Sequence, residues 1–188
     1  MLVLGVLGVL LGAREYGTGM IRTTMSAAPH RVGVVLARMV GTVALVLPTT
    51  LVATGVAYGA GTAVLDAGGA DVAAWGDPGV PRAVVGTALY LTGICVLGIC
   101  LGLITRSIGQ GIGRLVGLVL VLPGFGTLLL PDEQQAALDY LPSNAGAAFT
   151  ALTPTETGLA VAAGAVVFAT WVALAVTGAT VAVRRRDV

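Results

Sequence analysis

The stretch AVVGTALYLTGICVLGICLGLI, residues 83–104, carries no charged residue from end to end. A helix needs about 20 consecutive apolar residues to cross the hydrocarbon core of a bilayer. The whole chain of 188 residues is 56% hydrophobic and only 10% charged, whereas a typical soluble domain has about 25% charged residues. Such a chain has too few charges for a water-facing surface. We therefore expect an all-α fold, a polytopic transmembrane helical bundle.

Three other segments have the same character as this stretch. They are residues 33–60, 111–130 and 157–183, and each is long enough to span a bilayer. Residues 1–13 are apolar but too short to span alone. They form either a partial span or a helix that continues into the polar residues that follow. We expect a single transmembrane domain over residues 1–188, with about five membrane segments of which the first is partial.

The charges in the connections predict the orientation. All ten basic residues are arginine, and nine of them lie within 14–38, 105–114 or 184–186. The alternating loops 61–82 and 131–156 hold acidic residues and, of the arginines, Arg82. An excess of arginine marks the cytoplasmic face of a membrane protein. This pattern predicts a multi-pass protein of the cytoplasmic membrane, with its C-terminus in the cytoplasm.

The outer loop 131–156 has helix signals of its own. Pro131 is followed by two acids, which is a favourable helix start. Pro142 ends that helix, and Ser143 is placed to cap a second one. Two short helices, re-entrant or interfacial, are therefore expected in this loop.

Glycine spacing predicts helix packing in two places. Gly109, Gly113 and Gly117 recur at four-residue intervals, and Gly98 and Gly102 do so on the preceding span. A row of glycines on one helix face lets another helix approach closely. The pattern is not a phosphate-binding loop, because the required lysine and the preceding strand are absent from the sequence.

Pro48 and Pro123 lie inside spans. Each removes a backbone donor, and each is compatible with a shaped helix or with a hinge. The first long span also carries hydroxyl groups that suit either a substrate or interhelical hydrogen bonds, and both interpretations stay open: Thr42, Thr49, Thr50 and Thr54.

The titratable residues do not converge in a way that predicts an active site. His30 is the single histidine, and Cys95 with Cys100 in an apolar run is interpreted as a pair of small packing residues. No predicted span has an acid in its interior, which disfavours a proton-driven carrier. We expect no catalytic residue, no bound cofactor and no metal site.

The stretch 14–32 is the most polar part of the cytoplasmic side. Its arginines suit anionic lipid. Its helix-compatible run of Glu15, Tyr16 and several threonines also suits docking of a cytoplasmic protein. The chemistry of the stretch leaves lipid anchoring and docking equally open.

The segment EYGTGMIRTTMSAAPHR, residues 15–31, resembles the cytoplasmic motif of permease subunits of type-2 ATP-binding-cassette (ABC) transporters of the actinobacterial type. Arg38 stands where that family commonly has lysine. PRAVVGTALYLTGICVLGICLGLITRS, DYLPSNAGAAF and the terminus VRRRDV are also similar to family sequences, in the same order. The matching residues of the first motif are Glu15, Tyr16, Gly19, Met20, Ile21, Arg22, Thr23, Thr24, Pro29 and Arg31.

The resemblance implies a membrane-spanning permease subunit, most simply of an exporter. Its coupling element, residues 14–32, would contact a separate ABC ATPase subunit that uses ATP and Mg²⁺. The other implied partners are a second permease subunit, identical or different, and membrane lipid, with no nucleic acid.

The family fold has six spans, so the resemblance also implies that the first span is missing here, either because the true start codon lies further upstream or because the gene is truncated. That leaves an alternative, a non-transporting membrane scaffold or a remnant of such a permease. A stand-alone channel or carrier ranks last, because the spans lack pore-lining charges.

Overall fold

A computed structural model describes residues 1–17, 31–69, 71–153 and 158–185. The fold is 85% helical, with no strand among the described residues. The helices are α1 (Leu2–Gly17), α2 (Arg31–Ala67), α3 (Val80–Thr105), α4 (Ile108–Val116), α5 (Leu122–Leu129), α6 (Pro142–Thr150) and α7 (Val161–Arg185). A π-helical turn, Gly117–Val121, joins α4 to α5, and a 3₁₀ helix, Asp132–Tyr140, precedes α6.

Four helices in the described part of the chain are long and apolar enough to cross a membrane: Val35–Ala67, Val80–Thr105, Ile108–Leu129 and Val161–Arg184. By length and composition the chain is a multi-pass membrane protein, and the predicted all-α fold is confirmed. The apolar N-terminal segment does not stop at residue 13. It continues as α1 to Gly17, so the first part of the polar stretch is helical.

Helix α3 is the centre of the bundle, and α1, α2, α4, α6 and α7 all pack against it. Helix α1 runs parallel to α3, because Met1 lies beside Tyr90 while Ala13 lies beside Gly102. Helix α7 is also parallel to α3. Helix α2 is antiparallel, since its later residue Thr54 bonds to the earlier residue Val84.

Gly98 and Gly102 lie in the contact between α3 and α1. A Cβ atom placed on Gly98 would lie 2.1 Å from the carbonyl oxygen of Gly5, and one on Gly102 would lie 2.6 Å from that of Val9. The same closeness holds on the α1 side, where a Cβ on Gly8 would lie 2.1 Å from the carbonyl oxygen of Cys95. The two helices therefore meet backbone to backbone, as small residues at a helix interface allow.

Gly109, Gly113 and Gly117 behave differently. A Cβ placed on any of them meets no atom of the described residues within 4 Å. The close packing predicted for this row is therefore not made within the described part of the chain. The reason is the rotation of α4, which turns Gly111 and Leu115 toward the bundle instead.

The hydroxyls of α2 divide into two groups. The Thr50 hydroxyl lies 3.2 Å from that of Thr92 on α3, and the Thr54 hydroxyl donates to the carbonyl of Val84 at 3.4 Å. Thr42 and Thr49 donate to carbonyls one turn earlier in α2 itself. Thr50 and Thr54 thus serve interhelical hydrogen bonding.

The two prolines sit in different surroundings. Pro48 lies inside α2, which continues without interruption on both sides of it. Pro123 is in the first turn of α5, directly after the π turn, where the Leu122 amide donates to the carbonyl of Gly117 five residues earlier. Single π turns often occur where a helix deviates from regular hydrogen bonding.

The loop after α5 forms two short helices, as predicted, but the second one begins differently. Leu141 is its N-cap and Pro142 is in its first turn, with no capping hydrogen bond from a side chain. The prediction of Ser143 as the cap is therefore wrong. Its hydroxyl is buried and has no hydrogen-bond partner among the described residues.

Candidate functional site

The bundle has a basic end. Arg14 is in the last turn of α1, Arg106 directly follows α3 and Arg184 lies at the end of α7. Because α1, α3 and α7 are parallel, these three residues lie at the same end. The antiparallel helix α2 begins there too, with Val35 in one buried cluster with Leu103 and Val183. The three arginines were predicted to be cytoplasmic.

The opposite end is acidic. Asp66 lies at the end of α2 and Asp77 precedes α3, so both are at this end. Arg82, the single arginine predicted on this side, donates to the carbonyl oxygens of Ala151 and Leu152 at 3.0 and 3.2 Å. The guanidinium thus connects the start of α3 to the end of α6, and structurally explains one exception to the charge pattern.

Helix α6 enters the bundle at the acidic end. A Cβ placed on Gly146 would collide with the ring of Tyr90, which lies ten residues after the start of α3. At 1.5 Å per residue this is about 15 Å along α3. The Trp171 indole also donates to the carbonyl of Tyr140 at 2.8 Å, about as far along α7. Of the two predicted alternatives, this burial between α3 and α7 favours the re-entrant one.

The proposed coupling residues fall at the edge of the described structure. Glu15 and Tyr16 belong to the last turn of α1, and Arg31 is the first residue of α2. The others lie outside the described residues: Gly19, Arg22, Thr23, Thr24 and Pro29. The described residues that flank this stretch, Gly17 and Arg31, both lie at the basic end.

A largely apolar cavity of about 620 Å³ opens between α2 and α7, with α3 as its floor. We call it the α2–α7 cleft. Phe149 of α6 lines it toward the acidic end. Its walls include Val43 and Leu47 of α2, Thr92 and Val96 of α3, and Ala173 and Thr177 of α7. No periodic signal in a sequence specifies where two helices diverge, so this cleft is visible only in the tertiary structure.

Two residues that line the cleft, Phe149 and Phe168, form an aromatic cluster with Tyr90. Tyr90 and Phe168 have ring centroids 5.1 Å apart, and Phe149 and Phe168 have centroids 5.8 Å apart. These separations suit favourable aromatic pairing. A Cβ on Gly93 would collide with the Phe168 ring, so that glycine provides the space for it.

Within the described residues, no group of three or more His, Cys, Asp or Glu side chains is placed to hold a metal ion. Cys95 and Cys100 are buried and free. Comparisons with protein-family models, with curated proteins and with solved structures find no match to the chain. Function must therefore be argued from the molecule itself.

Proposed function

We propose that the chain is the membrane-spanning permease subunit of an ABC transporter, most simply an exporter. A separate ATPase subunit, using ATP and Mg²⁺, would supply the free energy. The proposal rests on the resemblance of residues 15–31 to the family's cytoplasmic motif, together with the four apolar helices. It implies no covalent chemistry in this chain.

The observation that carries the proposal is the position of the motif relative to the bundle. The motif begins in the last turn of α1 and ends where α2 begins, and both points lie at the basic end. A partner in the cytoplasm would meet this end if the arginine excess marks the inner face. The polar stretch is then a docking surface between two helices of the membrane domain.

The helix contacts suit the transmission of movement. Helix α1 meets α3 backbone to backbone at Gly8 and Gly98, with no long side chain between them to absorb a displacement. Helix α2 meets α3 mainly through side chains, and its polar contacts include the Thr50–Thr92 hydroxyl pair and the bond from the Thr54 hydroxyl to the Val84 carbonyl. A push on the motif would therefore carry α1 and α3 together, while α2 is freer to tilt.

The experiment uses the full chain with the ATPase subunit that purifies with it, reconstituted in vesicles. Glu15→Ala and Arg22→Ala should each lower transport-stimulated ATP hydrolysis about tenfold, because a docked charged group loses its partner at a cost of roughly 1–3 kcal/mol. Arg114→Ala is the matched control, an exposed arginine of α4 outside the motif. Normal stimulated hydrolysis in both motif variants would contradict the coupling role.

Orientation and the scaffold alternative have their own test. A reporter fused after residue 188 should read as cytoplasmic, and one inserted at Gly69, between α2 and α3, should read as external. If Gly69 reads as cytoplasmic, the motif faces the wrong compartment for an ATPase. If no ATPase purifies with the correctly oriented chain, the non-transporting scaffold becomes the better account.

A further inference from the structure

We propose that the α2–α7 cleft binds one acyl chain of an anionic phospholipid whose phosphate contacts Arg184. This inference stands without the transport proposal, because it uses only the membrane setting and the shape and charge of the cleft. The volume of about 620 Å³ lies within the roughly 300–1,000 Å³ of small-molecule sites. Hydrocarbon tails are the solvent of this region in a bilayer.

Arg184 lies on the cleft side of α7. It follows Thr177, a lining residue, by seven residues, which is close to two turns and returns to nearly the same face. The rise places it about 10 Å beyond Thr177 toward the basic end. Its side chain is exposed. Basic groups between transmembrane helices on the cytoplasmic side commonly bind anionic headgroups.

The α2 wall supplies a matching apolar track. Val43 and Leu47 line the cleft, and Leu36 and Val40 continue the same helix face toward the basic end. Leu36 is 43% exposed and Val40 is 67% exposed, so the rim of the cleft stays apolar up to the level where Arg184 lies. A phospholipid whose acyl chain lies along this track would place its phosphate beside Arg184.

The charge distribution selects an anionic headgroup. The aspartates of residues 61–82, Asp66, Asp71 and Asp77, lie at the opposite end of the bundle and do not compete for Arg184. A zwitterionic lipid with the same tails would fill the same apolar track but would place a cationic group near the guanidinium. We therefore expect selectivity to come from Arg184 and tail affinity to come from the cleft walls.

The test is native mass spectrometry of the full chain in detergent, titrated with phosphatidylglycerol or with phosphatidylcholine of the same tails. More phosphatidylglycerol than phosphatidylcholine should remain bound to the protein. Arg184→Gln should lower its occupancy about fivefold, as expected for one basic group near an anionic lipid, and should remove the preference. Arg184→Lys should keep most of it. Arg114→Gln, which changes an exposed arginine of α4, should change nothing.

A second pair of variants tests the cleft itself. Ala173→Phe fills it from an exposed position and should reduce the occupancy of both lipids, whereas Val64→Phe, at an exposed position of α2 that does not line the cleft, should not. Equal binding of both lipids to the unaltered chain, or no effect of Arg184→Gln, would overturn the proposal. So would a change from dimer to monomer in Ala173→Phe with lipid occupancy unaltered, because a second copy would then occupy the cleft.

Discussion

Two glycine rows on consecutive helices have the same four-residue spacing and opposite surroundings. Gly98 and Gly102 on α3 touch the backbone of α1, whereas Gly109, Gly113 and Gly117 touch nothing in the described part of the chain within 4 Å of a Cβ position. The spacing makes close approach possible in both rows. A close contact also needs a neighbouring helix. Helix α1 is that neighbour for Gly98 and Gly102.

The largest effect on stability should come from placing a large side chain in the glycine row of α3, and the same change in the row of α4 should not cause it. Gly98→Leu places side-chain atoms where the Gly5 carbonyl already lies, and neither backbone can yield without separating α1 from α3. We expect it to lower the free energy of unfolding in detergent by more than about 3 kcal/mol. Gly113→Leu is the control and should not lower it, because a Cβ there meets no atom of the described residues and leucine favours a helix over glycine by up to about 1 kcal/mol. Similar thermal stability of the two variants would refute the contrast.

A smaller substitution, glycine to alanine, distinguishes positions in α1 that face backbone atoms from positions that face a side chain. A Cβ on Gly12 would lie 2.3 Å from the Ile99 carbonyl oxygen, a backbone atom, whereas one on Gly5 would lie 2.6 Å from a methyl group of Leu115. The end of a leucine can rotate away. Gly12→Ala should therefore cost about 1–3 kcal/mol of unfolding free energy and Gly5→Ala clearly less. The measurement is denaturant unfolding of both, and a larger loss for Gly5→Ala would mean that side-chain packing controls this interface.

The smallest effect on stability is expected at the contact between α3 and α2. Thr50→Val removes the hydroxyl that meets Thr92 and should lower the unfolding free energy by about 0.6 kcal/mol, the average for hydrogen bonds between membrane helices. Thr42→Val removes a bond within α2 and should have less effect. A double-mutant cycle with Thr92→Val measures the coupling. A coupling near zero would show that this hydroxyl pair does not help to hold α2 against α3.

The sequence anticipated the contact of Gly98 and Gly102 but missed its other half. Gly5, Gly8 and Gly12 recur every three or four residues in α1, which is the same kind of signal. The length of residues 1–13 predicts only a partial span, and length says nothing about how a segment packs. The aromatic cluster of Tyr90, Phe149 and Phe168 was missed for another reason: its members come from three helices, and a single sequence does not relate them.

By itself the sequence determined which segments are helices and to which end of the bundle their charges go. Hydrocarbon leaves a spanning backbone few ways to satisfy its hydrogen bonds, so a long apolar run is nearly sufficient to specify a helix. Strict alternation of the connections then assigns nine of the ten arginines to one end. Tertiary structure alone decided that α1 pairs with α3, that α4 turns its glycines away, and that α2 and α7 diverge around a cleft. These outcomes depend on the rotation and tilt of each helix, which arise from the fit of all neighbouring side chains at once.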